Sequence, residues 1–214
     1  PKPTSFQLYL EQKDPAFLNH YNTGANIRGY KLYWHKTGKN YIETDEKKIK
    51  EHPSQYTKIK PLKQGARFSG RIRFENLTDT ELGALLFVLR LKENLFHKIG
   101  MGKPLGLGTL RISPRLFLSE RKKRYSEFLF EFSGCAENAE KIEYYALLFD
   151  KYVRETLGMS ENSLWDVPRI RELRCMLDFS KKPSDEKTCY MRIEPDNEFK
   201  SRDILPRPCD VQKT

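Results

Sequence analysis

No apolar run in the 214-residue chain approaches the ~20 residues needed to cross a bilayer. The opening PKPTSFQLYL also lacks the apolar core and small-residue cleavage site of a secretory signal. On these absences the expectation is a cytoplasmic protein with no membrane partner. Cysteine is sparse as well. Cys135, Cys175, Cys189 and Cys209 lie 40, 14 and 20 positions apart, so the close C-x₂₋₄-C pair of a zinc knuckle is missing. A chain of this length needs no disulfide framework, which predicts reduced cysteines and no metal site unless distant segments bring ligands together; no cofactor is expected. Acids are in deficit, 29 against 39 lysines and arginines, and the net charge of +10 favours an anionic partner, nucleic acid first. The first residue is Pro1 and not Met, as expected of a piece of a longer protein.

With 38% hydrophobic and 12% aromatic residues, the composition is that of a folding chain and not of a disordered tail. Residues 5–12 and 27–35 (IRGYKLYWH) read as strands, separated by the Asp-Pro and Asn/Gly punctuation of DPAFLNHYNTG. Residues 36–60 are charged and aperiodic, a surface excursion in which Glu43-Thr44-Asp45-Glu46 reads as a solvated run and not a metal site. In ARFSGRIRFENL, Phe68, Ile72 and Phe74 alternate with Arg67, Ser69, Arg71 and Arg73, predicting a strand with an arginine-bearing outer face. Thr78 and Glu81 form a capping box. Leu82, Leu85, Leu86 and Leu89 follow at the spacing of an amphipathic helix that stops near Asn94.

LGTLRISPRLFL then reads as a strand, SERKKR as a turn, and YSEFLFEF as a further strand with Phe128, Phe130 and Phe132 on one side. Residues 138–157 carry Ile142, Tyr145, Ala146, Phe149, Tyr152 and Val153 at helical spacing, ahead of Gly158 at the C-cap. Asp166 and Pro168 open a second helix through Leu177. Residues 180–214 are polar, hold four prolines and are expected to be extended or partly mobile. The order is α+β, with no internal repeat.

Between helix and strand lies HKIGMGKPLGLGTLRI. A dinucleotide fingerprint follows a strand and opens a helix, whereas here the order is helix, loop, strand. Its spacing also fails, because Gly100 and Gly102 are followed at the third position by Leu105. A Walker A loop needs Gly-Lys-Ser/Thr, and Gly102-Lys103 is followed by Pro104. Two readings remain: a glycine turn used for packing, or a loop whose amides and lysines cradle a polyanion. Residues 97–124 carry eight basic residues against the single acid Glu120, which favours the second.

The loop from His97 to Gly108 resembles the C-terminal hallmark of the RAMP superfamily of CRISPR-associated proteins, most of all the backbone subunits of type III effectors. FSGRIRFENLT, PTSFQLYLEQ and IRGYKLYWHK are similar to long RAMP proteins, including the last RAMP module of fused single-chain effectors such as type III-E gRAMP. The resemblance covers residues 1–120. It implies a ferredoxin-like, RNA-recognition-like domain over 1–134, its first half not recognisable, followed by a helical extension and polar tail over 135–214. It also implies a role in antiviral defence: binding the backbone of a guide RNA (crRNA) for pairing with target RNA, beside other RAMP modules or effector subunits. Matched onto the loop, RNA contact falls to Lys98, Gly100, Gly102, Lys103, Gly106 and Gly108. Strand parity, independently of the resemblance, adds Arg71 and Arg73. The family's catalytic Asp belongs to the half that is not recognised, so no catalytic residue is carried over, although the parent effector could be an RNA endonuclease.

Two alternatives stand beside this. His97, next to Lys98, could act as general base of a metal-independent guide-processing nuclease, or it could pack or meet phosphate at the helix end. The chain could instead be a protein-docking module that touches no RNA. Tyr33 and Trp34 could stack on bases, but burial is their simpler role.

Overall fold

A computed structural model describes residues 6–28, 30, 32–38, 44–119, 121–126, 136–189, 195–201 and 204–213. The helices are α1 (Phe6–Tyr9), α2 (Glu46–Glu51), α3 (Asp79–Leu89), α4 (Arg121–Ser126), α5 (Lys141–Thr156), α6 (Pro168–Leu177), α7 (Glu198–Ser201) and α8 (Pro208–Lys213). The strands are β1 (His97–Lys98), β2 (Thr109–Leu110), β3 (Phe117–Leu118) and β4 (Ala136–Glu137), and they form two antiparallel ladders, β1–β2 and β3–β4. The chain is α+β. Among the described residues, no helix is long and apolar enough to cross a membrane.

The chain divides into two compact units, each assembled from separated segments. Unit 1 comprises 1–61, 94–110 and 168–214, and unit 2 comprises 62–93 and 111–167.

Unit 2 is built on α3 and α5. Thr78 Oγ1 accepts from the Glu81 amide at 3.3 Å, and the Glu81 carboxylate accepts from the Thr78 amide at 2.8 Å, so the predicted capping box closes. Leu82 and Leu86 meet Ile142 of α5 and Leu116, with Phe74, Leu118 and Tyr145 packed around them. Gly83 allows this close approach: a Cβ there would lie 2.1 Å from the carbonyl oxygen of Tyr145. Asp150 is buried in α5 and accepts from Arg154 Nε at 2.7 Å, Ser163 Oγ at 3.0 Å and the Leu164 amide at 2.7 Å. It thereby ties α5 to a 3₁₀ turn over Leu164–Asp166, whose Trp165 stacks on Phe87 at 4.8 Å. Gly158, at φ +60°, ends α5 as predicted, with the Met159 amide reaching back to Arg154 O.

Unit 1 joins β1 to the end of α6. The Phe96 amide donates to Leu177 O and the Phe179 amide to Asn94 O, both at 2.9 Å. Among the described residues of this unit Leu10, Leu95, Met176 and Leu177 are buried, and so is His35.

Several expectations are corrected. Residues 6–9 form a helical turn, and among the described residues of the expected strands 5–12 and 27–35 a single isolated bridge, Leu10 to Ile27, is present. Residues 67–74 form no strand: Phe68 is 80% and Ile72 58% exposed. Alternation produces a buried face only where a partner strand covers it, and none pairs with this segment among the described residues. The predicted strand after the glycine loop is split by Ser113-Pro114 into β2 and β3, and SERKKR gives α4 instead of a turn. Residues 180–214 contain α7 and α8 and are not simply extended. Cys175 and Cys209 form a disulfide, so the expectation of four reduced cysteines fails at this pair, while Cys189 is free and exposed. The strand predicted over Phe128, Phe130 and Phe132 lies outside the described residues, as does Cys135.

Candidate nucleic-acid interface

The glycine-rich stretch is the loop of a hairpin. His97 pairs with Leu110 and Lys98 with Thr109, and residues 99–108 connect the two strands. Gly100, Gly102, Gly106 and Gly108 all have positive φ, between +68° and +98°. Their surroundings separate them into packing positions and an open one. At Gly108 a Cβ would fall 1.9 Å from Ile99 O, and at Gly106 it would meet Lys36 Cβ at 2.7 Å. At Gly102 it would touch Leu107 Cδ1 at 2.8 Å, whereas at Gly100 nothing lies within 4 Å.

The lysines divide in the same way. Lys98 turns into the loop, its ammonium donating to Gly106 O and Leu107 O, each at 3.1 Å. Burial, reinforced by Lys36 nearby, pulls its pKa down to about 8. Lys36 in turn donates to Thr188 O at 2.7 Å. These two lysines are struts of unit 1. Lys103 remains at the surface, donating to Gly100 O at 2.9 Å across the loop tip.

An open arc is left from Gly100 to Lys103. The amides of Gly100, Met101 and Gly102 make no backbone hydrogen bond among the described residues, and Met101 is 84% exposed. Consecutive free amides beside an ammonium form a concavity that suits an anionic oxygen. No protein-family model matches the chain, and no curated protein matches it.

Arg71 and Arg73 are exposed and belong to unit 2, as do Arg111, Arg115 and Arg121. Arg115 makes a two-pronged ion pair with Glu137, Nε to Oε1 at 2.9 Å and NH2 to Oε2 at 2.6 Å, and Arg121 lies 4.0 Å from Glu75. The basic run read over 97–124 is thus shared between the two units. His97 is partly buried on β1. Asp45 of the acidic run accepts from the amides of Lys47 and Lys48 as the N-cap of α2. Tyr33 and Trp34 are partly buried.

Sequence reasoning missed His35. Its side chain is 1% exposed, Nδ1 shares a 2.9 Å hydrogen bond with Thr109 Oγ1, and Nε2 has no partner among the described residues. Phe96 and Phe179 meet the ring edge-on at centroid distances of 6.3 and 5.6 Å. Burial, with the Lys98 charge adding to it, holds its pKa near 4, so this imidazole is neutral at neutral pH and supports the β2 side of the hairpin. The only sequence signal for it was its place in the aromatic run YKLYWH.

Proposed function

We propose that the chain binds the backbone of a guide RNA and holds it for pairing with target RNA, as a RAMP module of a type III CRISPR effector in the cytoplasm. On this reading the α+β fold is a ferredoxin-like RAMP fold. The partners are the guide, the target, and neighbouring RAMP modules or effector subunits. The observation that carries the reading is the Gly100–Lys103 arc, where three successive amides make no backbone hydrogen bond among the described residues, the Lys103 ammonium lies across the loop tip on Gly100 O, and nothing stands within 4 Å of a Cβ at Gly100. Such a surface grips phosphate without reading bases. On this reading the module binds RNA and does not itself cut it.

The test uses single-stranded RNA titrated over a range of salt. Lys103→Ala should remove about one phosphate contact and reduce the salt slope by roughly one unit. Gly100→Asn suits the positive φ and its Cβ has nothing within 4 Å, so it should weaken RNA binding while leaving the melting temperature near that of the parent chain. Unchanged affinity in both variants would leave the loop as a packing turn.

A second reading, docking to a protein, draws on the outer face of α5, where Tyr144, Leu147 and Tyr152 are each more than half exposed. Binding through that face would persist at high salt, whereas RNA binding would not.

A further inference from the structure

Residues 204–213 cover Arg28 within unit 1. Arg28 NH1 donates to Leu205 O at 2.6 Å, and its other terminal nitrogen donates to the carbonyl of Pro206. The covering segment is fastened by polar contacts on either side. Arg207 approaches Glu11 at 3.4 Å, the Cys209 amide donates to Glu172 Oε2 at 2.9 Å, and Gln212 Nε2 donates to Cys175 O at 2.6 Å. Leu205, Arg207, Pro208 and Asp210 line a cleft of about 340 Å³ together with Arg28 and Glu172. One covalent link holds this arrangement, the Cys175–Cys209 disulfide.

The two ends of that bond are anchored very differently. Cys175 sits in α6, whose Met176 and Leu177 are buried. Cys209 sits in α8, a six-residue helix in which none of the described side chains is buried. A helix this short does not persist without tertiary support, and a half-exposed ion pair such as Arg207–Glu11 contributes little. The disulfide is the one covalent cross-link of a segment otherwise held by hydrogen bonds and by the packing of α8 on α6.

We propose that Cys175–Cys209 is a redox latch. Oxidised, it keeps residues 204–213 over Arg28 and walls the cleft. Reduced, it releases them, opening the cleft and freeing the Arg28 guanidinium from the Leu205 and Pro206 carbonyls. The reductant is a dithiol. One of its thiolates attacks a sulfur of the pair to form a mixed disulfide and expel the other cysteine as thiolate. Its second thiol then displaces the protein sulfur. Two electrons and two protons pass to Cys175 and Cys209, and the dithiol leaves as its own disulfide.

Amide hydrogen exchange on the full chain, before and after dithiothreitol, tests this, with alkylation of Cys175 and Cys209 followed by mass spectrometry. Reduction should make both cysteines alkylatable and accelerate exchange in residues 204–213 by about tenfold or more, while residues 94–110 and α3 and α5 keep their protection. Reoxidation should restore the original pattern, and Cys209→Ser should reproduce the reduced one. The latch is overturned if the bond opens with no change at 204–213. Loss of protection throughout unit 1 would overturn it too, since the bond would then be a structural staple. So would alkylation of both cysteines before any reductant is added.

Discussion

A methyl group at Gly108 would press into the carbonyl of Ile99 at 1.9 Å, on a backbone with φ +77°. The left-handed conformation alone costs a non-glycine residue about 1–2 kcal/mol, and the clash with main chain adds to that. Gly108→Ala should therefore lower the urea midpoint of unfolding clearly, in contrast to the near-neutral Gly100→Asn. Equal stability in the two would contradict the hairpin geometry. His35 gives a pH signature in the same unit. Its pKa falls from 6.5 to about 4 on folding, so the unfolded state takes up the proton first as pH drops. His35 thus costs stability progressively from about pH 6.5 down to about 4, and adds no further change below that. In His35→Gln the decline over this window should be shallower than in the parent chain, as read from melting temperature against pH. Parallel curves would place the imidazole in a wetter setting. At this scale the sequence told part of the story. Glycine spacing argued against the phosphate loops, whereas the order read as helix, loop, strand is corrected to strand, loop, strand by β1. Lys36 backs Gly106 from far upstream, and no local pattern reveals such a partner.

Elements were legible where their signals are local. Thr78 and Glu81, Gly158, and Pro168 mark ends of α3, α5 and α6 through contacts within a turn or two. Residues 67–74 have an equally regular pattern and no strand, because a strand exists only through a neighbour that the pattern does not specify. Gly83 was silent for a related reason: its role appears only when α5 arrives. Glycine inside a helix normally costs about 1 kcal/mol relative to alanine, so Gly83→Ala would stabilise an isolated α3. Here the added Cβ would lie 2.1 Å from Tyr145 O and 2.9 Å from Phe149 Cβ, so the sign reverses. The full chain carrying Gly83→Ala should melt below the parent. A higher melting temperature would mean that α3 and α5 are packed less closely than described.

At the scale of the molecule, the charge of +10 was evident from composition, but its distribution was not, since one basic run in the chain supplies both units. The interleaving of those units has a consequence for the order in which the protein is made. Unit 2 possesses all its residues once Val167 has been added, whereas unit 1 still awaits 168–214. At ordinary elongation rates that last stretch takes roughly two to ten seconds, during which β1 and β2 exist without α6 and the Phe96–Leu177 and Phe179–Asn94 bonds cannot form. Proteolysis of arrested nascent chains should find α3 and α5 protected at lengths where residues 94–110 are still cut, and simultaneous protection would refute that order. Unit 2 is thus complete while unit 1 is still being written, and the glycine hairpin stands without its anchor on α6 until that helix arrives.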